Sequence, residues 1–232
     1  MARPYPRSFY ARGTLQVARE LLGSILFRRV DGLLLRGRIV ETEAYVGEED
    51  LACHARAGLT PRTEPLYGPP GRAYVYLTYG MHHLLNAVTE PRGKPAAVLI
   101  RAVEPLDGIE WMIRARGVEA PHLLASGPAR LCQAFGLDLG WNRADLCGRD
   151  VWIGPGAPVS GADVATSPRI GCGNVPEPWG RIPWRFYVRL SNHVTPGRPP
   201  RKLLVTSALP IGNNRASRPG PAGRARNPST RR

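Results

Sequence analysis

Two neighbouring stretches carry the clearest pattern in this sequence, ETEAYVGEEDLACHA at residues 41–55 and GPPGRAYVYLTYGMHHLLN at residues 68–86. In the second stretch, aromatic and apolar side chains alternate through Tyr74–Thr78, which is typical of a half-buried β-strand. A β pattern resumes at Leu84–Val88, so the two runs predict a hairpin. The first stretch completes a long strand predicted at Leu33–Val46. Strand pairing in this part of the chain therefore decides the fold.

Similar periodicities predict the other elements, and glycine or proline marks most of their boundaries. The predicted strands are Ile25–Val30, Leu33–Val46, Tyr74–Thr78, Leu84–Val88, Ala97–Val103 and the run PWRFYVRL at 183–190. The predicted helices are Thr14–Leu22, capped by Thr14, Pro105–Arg116, with proline in the first turn, and Ser126–Phe135, capped by Ser126. Without a repeat or an internal linker, the pattern predicts a single α+β domain. Its sheet is mostly antiparallel, with a protruding β-hairpin, and is packed with helices.

The charge balance indicates a polyanionic partner. The chain of 232 residues has 32 lysines and arginines against 18 acidic residues, a formal net charge of +14 at pH 7. An excess of this kind is the electrostatic footprint of a nucleic-acid binder. Only Lys94 and Lys202 are lysines. A compositional bias explains the choice of arginine over lysine, but it does not explain the excess of base over acid.

The charge is concentrated towards the end of the chain. Residues 194–232 contain nine basic residues and no acidic one, which leaves +5 on the first 193 residues. The last eighteen residues, RASRPGPAGRARNPSTRR, lack hydrophobic periodicity and are rich in proline, glycine and arginine, which predicts disorder. We therefore predict a folded domain over residues 1–197 and a basic, disordered tail over residues 198–232. Such a tail raises affinity for DNA or RNA without selectivity.

Composition also predicts the cellular location of the protein and the absence of a metal or a disulfide. The N-terminal MARPYPRSFYARG lacks the apolar core of a signal peptide, and no apolar run approaches the roughly 20 residues of a membrane span. We expect a soluble, cytoplasmic protein with no membrane partner. The four cysteines form no close pair of the kind that binds zinc, so free thiols are expected, with no metal and no disulfide; they are Cys53, Cys132, Cys147 and Cys172.

The carboxylates of the first stretch are candidates for acid–base chemistry. Side chains two apart on a strand share a face, so Glu41, Glu43 and Tyr45 should point the same way. Two carboxylates roughly 7 Å apart on one strand are compatible with an acid/base pair of the glycosidase type. The alternative is that one or both pair with Arg36 or Arg38 on a solvated strand. Spacing alone leaves both interpretations open.

The tyrosines of the hairpin suggest contact with nucleic-acid bases. Tyr74 and Tyr76 share one face of their strand, whereas Tyr79 lies beside Gly80 where the chain should turn. A side chain that protrudes at a turn can wedge into a base stack. Aromatic rings on the sheet can stack on an extruded base. The alternative is that Tyr74 and Tyr76 are ordinary core residues.

Six blocks of the chain form a recognisable series when they are taken in order. They are GRIVETEAYVGEEDLACHA (37–55), TPRTEPLYGPPGRAYVYLTYGMHHLLNAV (60–88), AAVLIRAVEPLDG (96–108), ASGPARLCQAFGL (125–137), PRIGCG (168–173) and PWRFYV (183–188). Together they resemble the alkyladenine (3-methyladenine) DNA glycosylases. The resemblance runs collinearly from about Phe9 to Leu190, roughly four-fifths of the chain, and the tail after about Gly197 lies outside it.

The resemblance implies a monofunctional DNA glycosylase that needs neither a metal nor another cofactor. Such an enzyme flips an alkylated or deaminated purine nucleotide, in the class of 3-methyladenine, 7-methylguanine, hypoxanthine and ethenoadenine, out of duplex DNA. It then hydrolyses the N-glycosidic bond and so initiates base excision repair. By resemblance, Glu43 is the general base that activates the water. Arg101 and the backbone carbonyl of Ile170 are its other positioning groups.

The resemblance also implies roles in binding the flipped base. Tyr45 and Tyr76 resemble residues that stack on the base, and His54 resembles one that contacts a purine edge. Asn86 resembles the residue whose amide discourages undamaged guanine. Tyr79 resembles the wedge that fills the vacated stack.

A predicted helix start is a candidate phosphate contact. The N–H groups at Ser126 and Gly127 begin a helix, and Arg130 follows within its first turn. Helix N-termini bind phosphate, and the resemblance implies that this helix contacts the DNA backbone. The alternative is a capped helix with a structural role only.

The nucleophile is expected to be water. Glycosylases that also cut the strand commonly attack through an amine, but neither Lys94, in a predicted turn, nor Lys202, in the tail, lies near the carboxylates in sequence. The zinc-deaminase signature, H-x-E followed by P-C-x-x-C, is also absent. Because the resemblance assigns catalysis to Glu43 alone, Glu41 is expected to be a supporting or structural partner.

A second class of function competes with an enzyme. A non-catalytic damaged-DNA-binding module would use Tyr79 and the basic charge, but it would not need Glu43, His54 and Arg101. All three are present, which favours the enzyme. We expect a bacterial, nucleoid-associated monomer whose partner is double-stranded DNA with damaged purines.

Overall fold

One long strand organises the sheet. The computed structural model describes residues 3–196. Strand β2 (Leu33–Val46) pairs along one edge with β5 (Ala96–Asp107). Its other edge is shared, first by β1 (Ile25–Val30) and then by β8 (Arg185–Val188). Two distant parts of the chain therefore meet on the half of β2 that carries the glutamates.

All strand pairs within residues 3–196 are antiparallel. The remaining strands are β3 (Ala73–Thr78), β4 (His82–Val88), β6 (Val151–Gly154) and β7 (Val164–Ser167). The strand order is β3-β4-β5-β2-β1-β6, and β7 joins through β8. Strands β3 and β4 form the predicted hairpin at one edge of this eight-stranded sheet.

Helices cover one face of the sheet. They are α1 (Arg7–Tyr10), α2 (Thr14–Glu20), α3 (Ile109–Arg116), α4 (Pro121–Leu124) and α5 (Pro128–Phe135). The hydroxyl of Thr42 donates to the carbonyl of Ala18 in α2 at 2.8 Å. Leu131 and Phe135 of α5 are fully buried in the main core. The helices therefore pack against the face of β2 that carries Leu35, Ile39, Thr42 and Ala44, since the register shifts on both sides of Glu41 move this face from odd-numbered to even-numbered residues.

The opposite face holds a second, smaller cluster. In β3, Val75 joins the main core, whereas Tyr74 lies in the second cluster. In β5, Val98 joins the main core and its neighbour Ala97 joins the second cluster. Alternation along each strand separates the two sets. The tyrosines consequently share a face with Glu43 and Tyr45 of β2.

The predicted fold class is confirmed: this is a single α+β domain with an antiparallel sheet and helices packed on it. The prediction of a basic tail over residues 198–232 lies outside the described residues. Among the residues that the structure describes, no helix is long and apolar enough to cross a membrane.

The prediction of a helix at Pro105–Arg116 is wrong in its first turn. Pro105 lies in β5, opposite Gly37, where the strand register shifts. A proline is tolerated at such an irregularity because the ladder hydrogen bond is already interrupted. The helix begins at Ile109, after Gly108, whose φ of 74° lies in the left-handed region. A Cβ at Gly108 would also lie 2.2 Å from Leu35 Cδ2, so glycine is needed for this close turn.

Two predicted helix caps are also wrong. Gly127, not Ser126, precedes α5, and no side chain caps that helix. Ser126 instead forms a β-bridge with Ala102. Thr14 is the first residue of α2 rather than its cap, and its N–H donates to Glu90 Oε1 at 2.8 Å. A long-range partner thus satisfies one of the N–H groups at the start of this helix that have no partner within it.

Short elements escaped prediction. Strands β6 and β7 have four residues each, as do α1 and α4. Four residues are too few to establish a period, so packing against neighbours decides their conformation. Strand β4 also begins at His82, two residues before the predicted Leu84, because the hairpin pairing continues to Thr78.

Candidate active site

A buried pair of carboxylates lies at the centre of the sheet. Glu41 and Glu43 are both fully buried. Arg101 joins them, since its Nε donates to Glu41 Oε1 at 2.8 Å and its Nη1 donates to Glu43 Oε2 at 3.0 Å. Burial lowers the pKa of Arg101, but Glu43 and Glu41 raise it by more, so the pKa lies above its ordinary value. The guanidinium stays charged.

The alternative of a solvated strand is wrong for these two glutamates. Arg36 pairs with Asp107, and Arg38 lies 3.9 Å from Glu104, both at the partly exposed start of β2. The glutamates lie further along, where β8 covers the second edge of the strand. The prediction that they share a face is confirmed by their common partner, Arg101.

Glu43 is held by three donors. Besides Arg101, the Tyr45 hydroxyl donates to Glu43 Oε2 at 2.9 Å. The backbone N–H of Ile170 donates to Glu43 Oε1 at 2.7 Å. The family resemblance implies a positioning role for the backbone carbonyl of Ile170, whereas the observed contact with Glu43 is made by its N–H. The carboxylate is therefore fixed in orientation from both of its oxygens.

A second buried ion pair supports the loop that carries Ile170. Arg169 and Asp50 have fully buried side chains and are joined by two hydrogen bonds, of 2.5 and 2.8 Å. Arg169 also donates to the carbonyl of Ala44, and its guanidinium carbon lies 4.7 Å from the centre of the Tyr45 ring. This ion pair fastens the Ile170 loop to β2 beside Glu43.

A pocket opens next to Glu43. The centre of the His54 ring lies 4.5 Å from that of Tyr76, and the two rings meet edge to face. Burial raises the pKa of Tyr76, and it raises that of Tyr45 well above its ordinary value, so both hydroxyls stay protonated. The pocket is neutral and largely aromatic; its lining residues are Tyr45, Ala52, Cys53, His54, Leu66, Tyr74, Tyr76, Asn86 and Ala97.

Asn86 lies on β4, opposite Tyr74 in the hairpin register. Its amide nitrogen donates to the backbone carbonyl of Tyr74 at 3.0 Å, which orients the amide at the pocket wall. The structure therefore brings together the four residues of the predicted base pocket, Tyr45, His54, Tyr76 and Asn86. The core alternative holds for Tyr74 only in part, because this buried ring also lines the pocket.

His54 is a neutral imidazole. Burial, reinforced by Arg62 and Arg56, lowers its pKa from 6.5 to about 4. Its Nδ1 forms a hydrogen bond of 2.9 Å with the Tyr74 hydroxyl. This bond orients the ring and leaves Nε2 as the nitrogen available to a ligand.

The depressed pKa of His54 predicts a loss of stability in mild acid. The unfolded chain takes up a proton as the pH falls below 6.5, whereas the folded chain resists it until about pH 4. The stabilisation is therefore complete above pH 6.5 and is lost progressively between pH 6.5 and 4. We expect the free energy of unfolding to fall less between pH 7 and 5 in His54→Gln than in the wild type, as measured by urea titration.

His82→Gln is the matched control for that experiment, because His82 is an exposed histidine, at the start of β4. It should lose as much stability as the wild type between the two pH values. Equal losses in His54→Gln and the wild type would contradict a buried neutral imidazole.

The hairpin tip exposes an aromatic ring. Tyr79 is 89% exposed and Met81 is 70% exposed. Tyr79 also has a φ of 51°, a left-handed conformation that is unusual for an aromatic residue. Strain of this kind is retained where the surrounding structure or a function requires it. The hairpin presents Tyr79 outward, as predicted for a turn residue.

The predicted phosphate contact is only partly exposed. Ser126 is buried, and Arg130 donates to its hydroxyl at 3.1 Å. Gly127 is buried too, with Thr195 beside it. Arg130 is half-exposed at the start of α5. Its binding of phosphate stays a prediction.

Sequence reasoning missed Asp50, Arg169 and Arg185. Asp50 and Arg169 are 119 residues apart, and Arg185 lies 144 residues from its partner Glu41. All three lie in or beside the quoted blocks, but no local spacing links them. Within residues 3–196, no group of three or more histidine, cysteine, aspartate or glutamate side chains is arranged to hold a metal ion.

Comparison with known families places this chain among the DNA glycosylases, hydrolases that cleave the bond between base and sugar. The model for methylpurine-DNA glycosylase (MPG) matches residues 8–192. The chain belongs to this family. The match covers the buried carboxylates, the aromatic pocket and the exposed hairpin, and it confirms the resemblance found from about Phe9 to Leu190.

Individual relatives are similar over nearly the same length. A Myxococcus xanthus protein named "Putative 3-methyladenine DNA glycosylase" is 51% identical over 195 residues, 84% of this chain and 95% of the relative. A protein of that name from Carboxydothermus hydrogenoformans is 46% identical, over 82% of this chain and 97% of its own. Another, from Methanocella arvoryzae, is 47% identical, over 84% of this chain and 96% of its own.

Proposed function

We propose that this enzyme flips alkylated or deaminated purine nucleotides out of duplex DNA and hydrolyses the N-glycosidic bond with a water activated by Glu43. One observation carries the proposal. Glu43 is fully buried, is held by Arg101, Tyr45 and the Ile170 N–H, and lies beside a neutral aromatic pocket. The reaction initiates base excision repair of DNA.

The chemistry assigned to Glu43 is general-base catalysis. The carboxylate accepts a proton from water while the water oxygen bonds to C1′ and the electron pair of the C1′–N bond leaves with the base. A purine methylated as in 3-methyladenine or 7-methylguanine is already cationic in DNA and departs as a neutral molecule. A neutral base such as hypoxanthine or ethenoadenine must gain a proton from solvent as it leaves. A positioned general base contributes roughly 10²–10⁴-fold to such a step.

The pocket suits a flipped purine. We assign Tyr45 and Tyr76 as the rings that stack on the base, because both line the pocket beside Glu43. We assign His54 as the group that contacts the purine edge, since its Nδ1 already binds Tyr74. We assign Asn86 as the residue that discourages undamaged guanine, because its amide is held at the pocket wall.

Tyr79 is proposed as the wedge that replaces the flipped base. Extruding a base costs a few kcal/mol of stacking and pairing. Stacking of an aromatic side chain on a base is worth roughly 1–3 kcal/mol, which is enough to offset much of that cost. The 89% exposure of Tyr79 at the hairpin tip supports this role, since the ring has no packing to lose.

DNA outside the pocket is proposed to be bound by other parts of the chain. Arg130, with Ser126 and Gly127 at the start of α5, is proposed to contact the backbone phosphates. Residues 1–197 are proposed to act as the glycosylase domain and residues 198–232 as a basic tail that raises DNA affinity. We propose that the enzyme acts on the nucleoid, because chromosomal DNA is its proposed substrate, and that it acts as a monomer.

A damaged-DNA-binding module without activity is the competing function. Taking two carboxylates out of water costs several kcal/mol each, even after partial compensation. Binding to distorted DNA requires neither Glu41 nor Glu43 in a buried position. Their burial together with Arg101 therefore favours the enzyme.

The test is a panel of labelled duplexes that each contain one hypoxanthine, 7-methylguanine, 3-methyladenine or ethenoadenine. We expect each damaged strand to stay intact with the enzyme alone and to break at the lesion after alkali, because hydrolysis leaves an abasic site. The control is each damaged duplex taken through the same alkali treatment without enzyme, because alkali alone can break a strand at 7-methylguanine. If the strands bind but stay intact after alkali, the protein is a binding module instead.

A further inference from the structure

We propose that Glu41 is a positioning residue of this enzyme, acting through Arg101, with Glu43 as the base as proposed above. Glu41 orients the Arg101 guanidinium and shares its positive charge. Arg101 can then hold Glu43 without suppressing its ability to accept a proton.

Glu41 is saturated by protein donors and does not line the pocket. It is fully buried, and its Oε1 accepts from Arg101 Nε at 2.8 Å and from Arg185 Nε at 2.7 Å. Its Oε2 accepts from the backbone N–H of Thr195 at 2.6 Å. None of these three partners lines the pocket, whereas Glu43 binds the pocket residue Tyr45. The influence of Glu41 on the reaction therefore passes through the groups that it binds.

The contact with Glu41 determines how Arg101 is turned. A guanidinium is planar and its donors have a fixed arrangement, so placing Nε on Glu41 directs Nη1 to Glu43 at 3.0 Å. The pairing of β2 with β5 shifts register on both sides of Glu41, which is the kind of irregularity that re-aims a side chain. Within residues 3–196, Nη2 of Arg101 has no hydrogen-bond partner and is left for water or DNA.

Charge sharing gives Glu41 a second effect. A positive charge beside Glu43 stabilises its ionised form and weakens it as a base. Glu41 opposes this effect by placing a second negative charge on Arg101. Arg185 acts in the opposite sense, because it adds a positive charge to the same cluster.

The test compares Glu41→Gln with Arg185→Gln in single-turnover excision of hypoxanthine across a range of pH. We expect Glu41→Gln to slow excision by roughly 10-fold or more, with unchanged affinity for the duplex. The acid limb of its pH–rate profile should move to lower pH, because Arg101 then carries an uncompensated positive charge. The acid limb of the pH–rate profile of Arg185→Gln should move to higher pH, because this variant removes a positive charge from the cluster.

A purely structural role predicts a different result. If both variants kept the wild-type acid limb, or moved it in the same direction, the proposal would be overturned. Should Glu41→Gln fail to fold, the double variant Glu41→Gln/Arg185→Gln keeps the net charge of the cluster. The double variant should still be slow, because Arg101 has lost its orienting carboxylate. Excision at the wild-type rate would overturn the proposal.

A second measurement separates this proposal from the proposed function. In ¹⁵N-labelled enzyme, the Nε–H resonance of Arg101, assigned by its loss in Arg101→Lys, should exchange slowly with solvent. We expect fast exchange in Glu41→Gln and slow exchange in Arg185→Gln. If the wild type fails to excise any lesion but this difference is seen, the orienting contact stands and the proposed function fails. Slow exchange in both variants would overturn the orienting contact itself.

Discussion

Replacing Glu43 by glutamine should abolish excision while DNA binding survives. Glutamine has nearly the shape of glutamate, but it cannot accept a proton from water at neutral pH. The loss of a general base predicts a single-turnover rate at least roughly 10²-fold below that of the wild type. The measurement is release of hypoxanthine and 7-methylguanine from single-lesion duplexes at saturating enzyme. Affinity for the same duplexes is measured separately.

The control is Glu110→Gln, because Glu110 is an exposed glutamate on α3 with no ion pair among the described residues. It should excise at the wild-type rate. The thermal transition of Glu43→Gln shows whether the loss of rate comes from unfolding, since the amide must face donors that the carboxylate satisfied. Excision by a folded Glu43→Gln at the wild-type rate would exclude Glu43 as the base.

Replacing Asp50 by alanine should greatly lower the free energy of unfolding. It leaves the fully buried Arg169 guanidinium without its carboxylate. Breaking a buried ion pair by removing one partner costs about 3–5 kcal/mol, because the remaining charge is unpaired and desolvated. A domain has only about 5–15 kcal/mol of stability in total. Urea unfolding, followed by tryptophan fluorescence, measures the change.

Two further variants test the cause of that loss. The double variant Asp50→Ala/Arg169→Met removes both charges and should be more stable than Asp50→Ala alone. Asp163→Ala removes an exposed aspartate and should leave the free energy of unfolding nearly unchanged. If the double variant were less stable than Asp50→Ala, the loss would come from the shape and packing of Arg169 rather than from its unpaired charge.

The elements that the sequence predicted well are those with a long, regular pattern. Strand β2 has the predicted bounds because fourteen residues establish its period. The Tyr74–Thr78 strand and its return at Leu84–Val88 lie within the observed hairpin. Helix α3 was extended too far back because Pro105 suits a first helical turn locally. Only the pairing with Gly37 places this proline in a strand.

The features of the candidate site that the sequence predicted are also those with a local pattern. Alternation along β2 and β3 predicted that Glu41 and Glu43 share a face and that Tyr74 and Tyr76 do too. The family blocks then suggested the pocket residues, which the fold brings together. No pattern predicted that the Ile170 N–H would bind Glu43, because the two residues are 127 positions apart.

The sequence by itself determined the strand periods, the polyanion-binding charge and the membership of a glycosylase family. All of these depend on residue type and local spacing. Only the tertiary structure decided that Arg101 bridges two buried glutamates and that Asp50 binds Arg169. The physical reason is that a buried charge requires a partner but does not specify which one. Strand register, with its shifts on both sides of Glu41, places one distant arginine rather than another within hydrogen-bond distance.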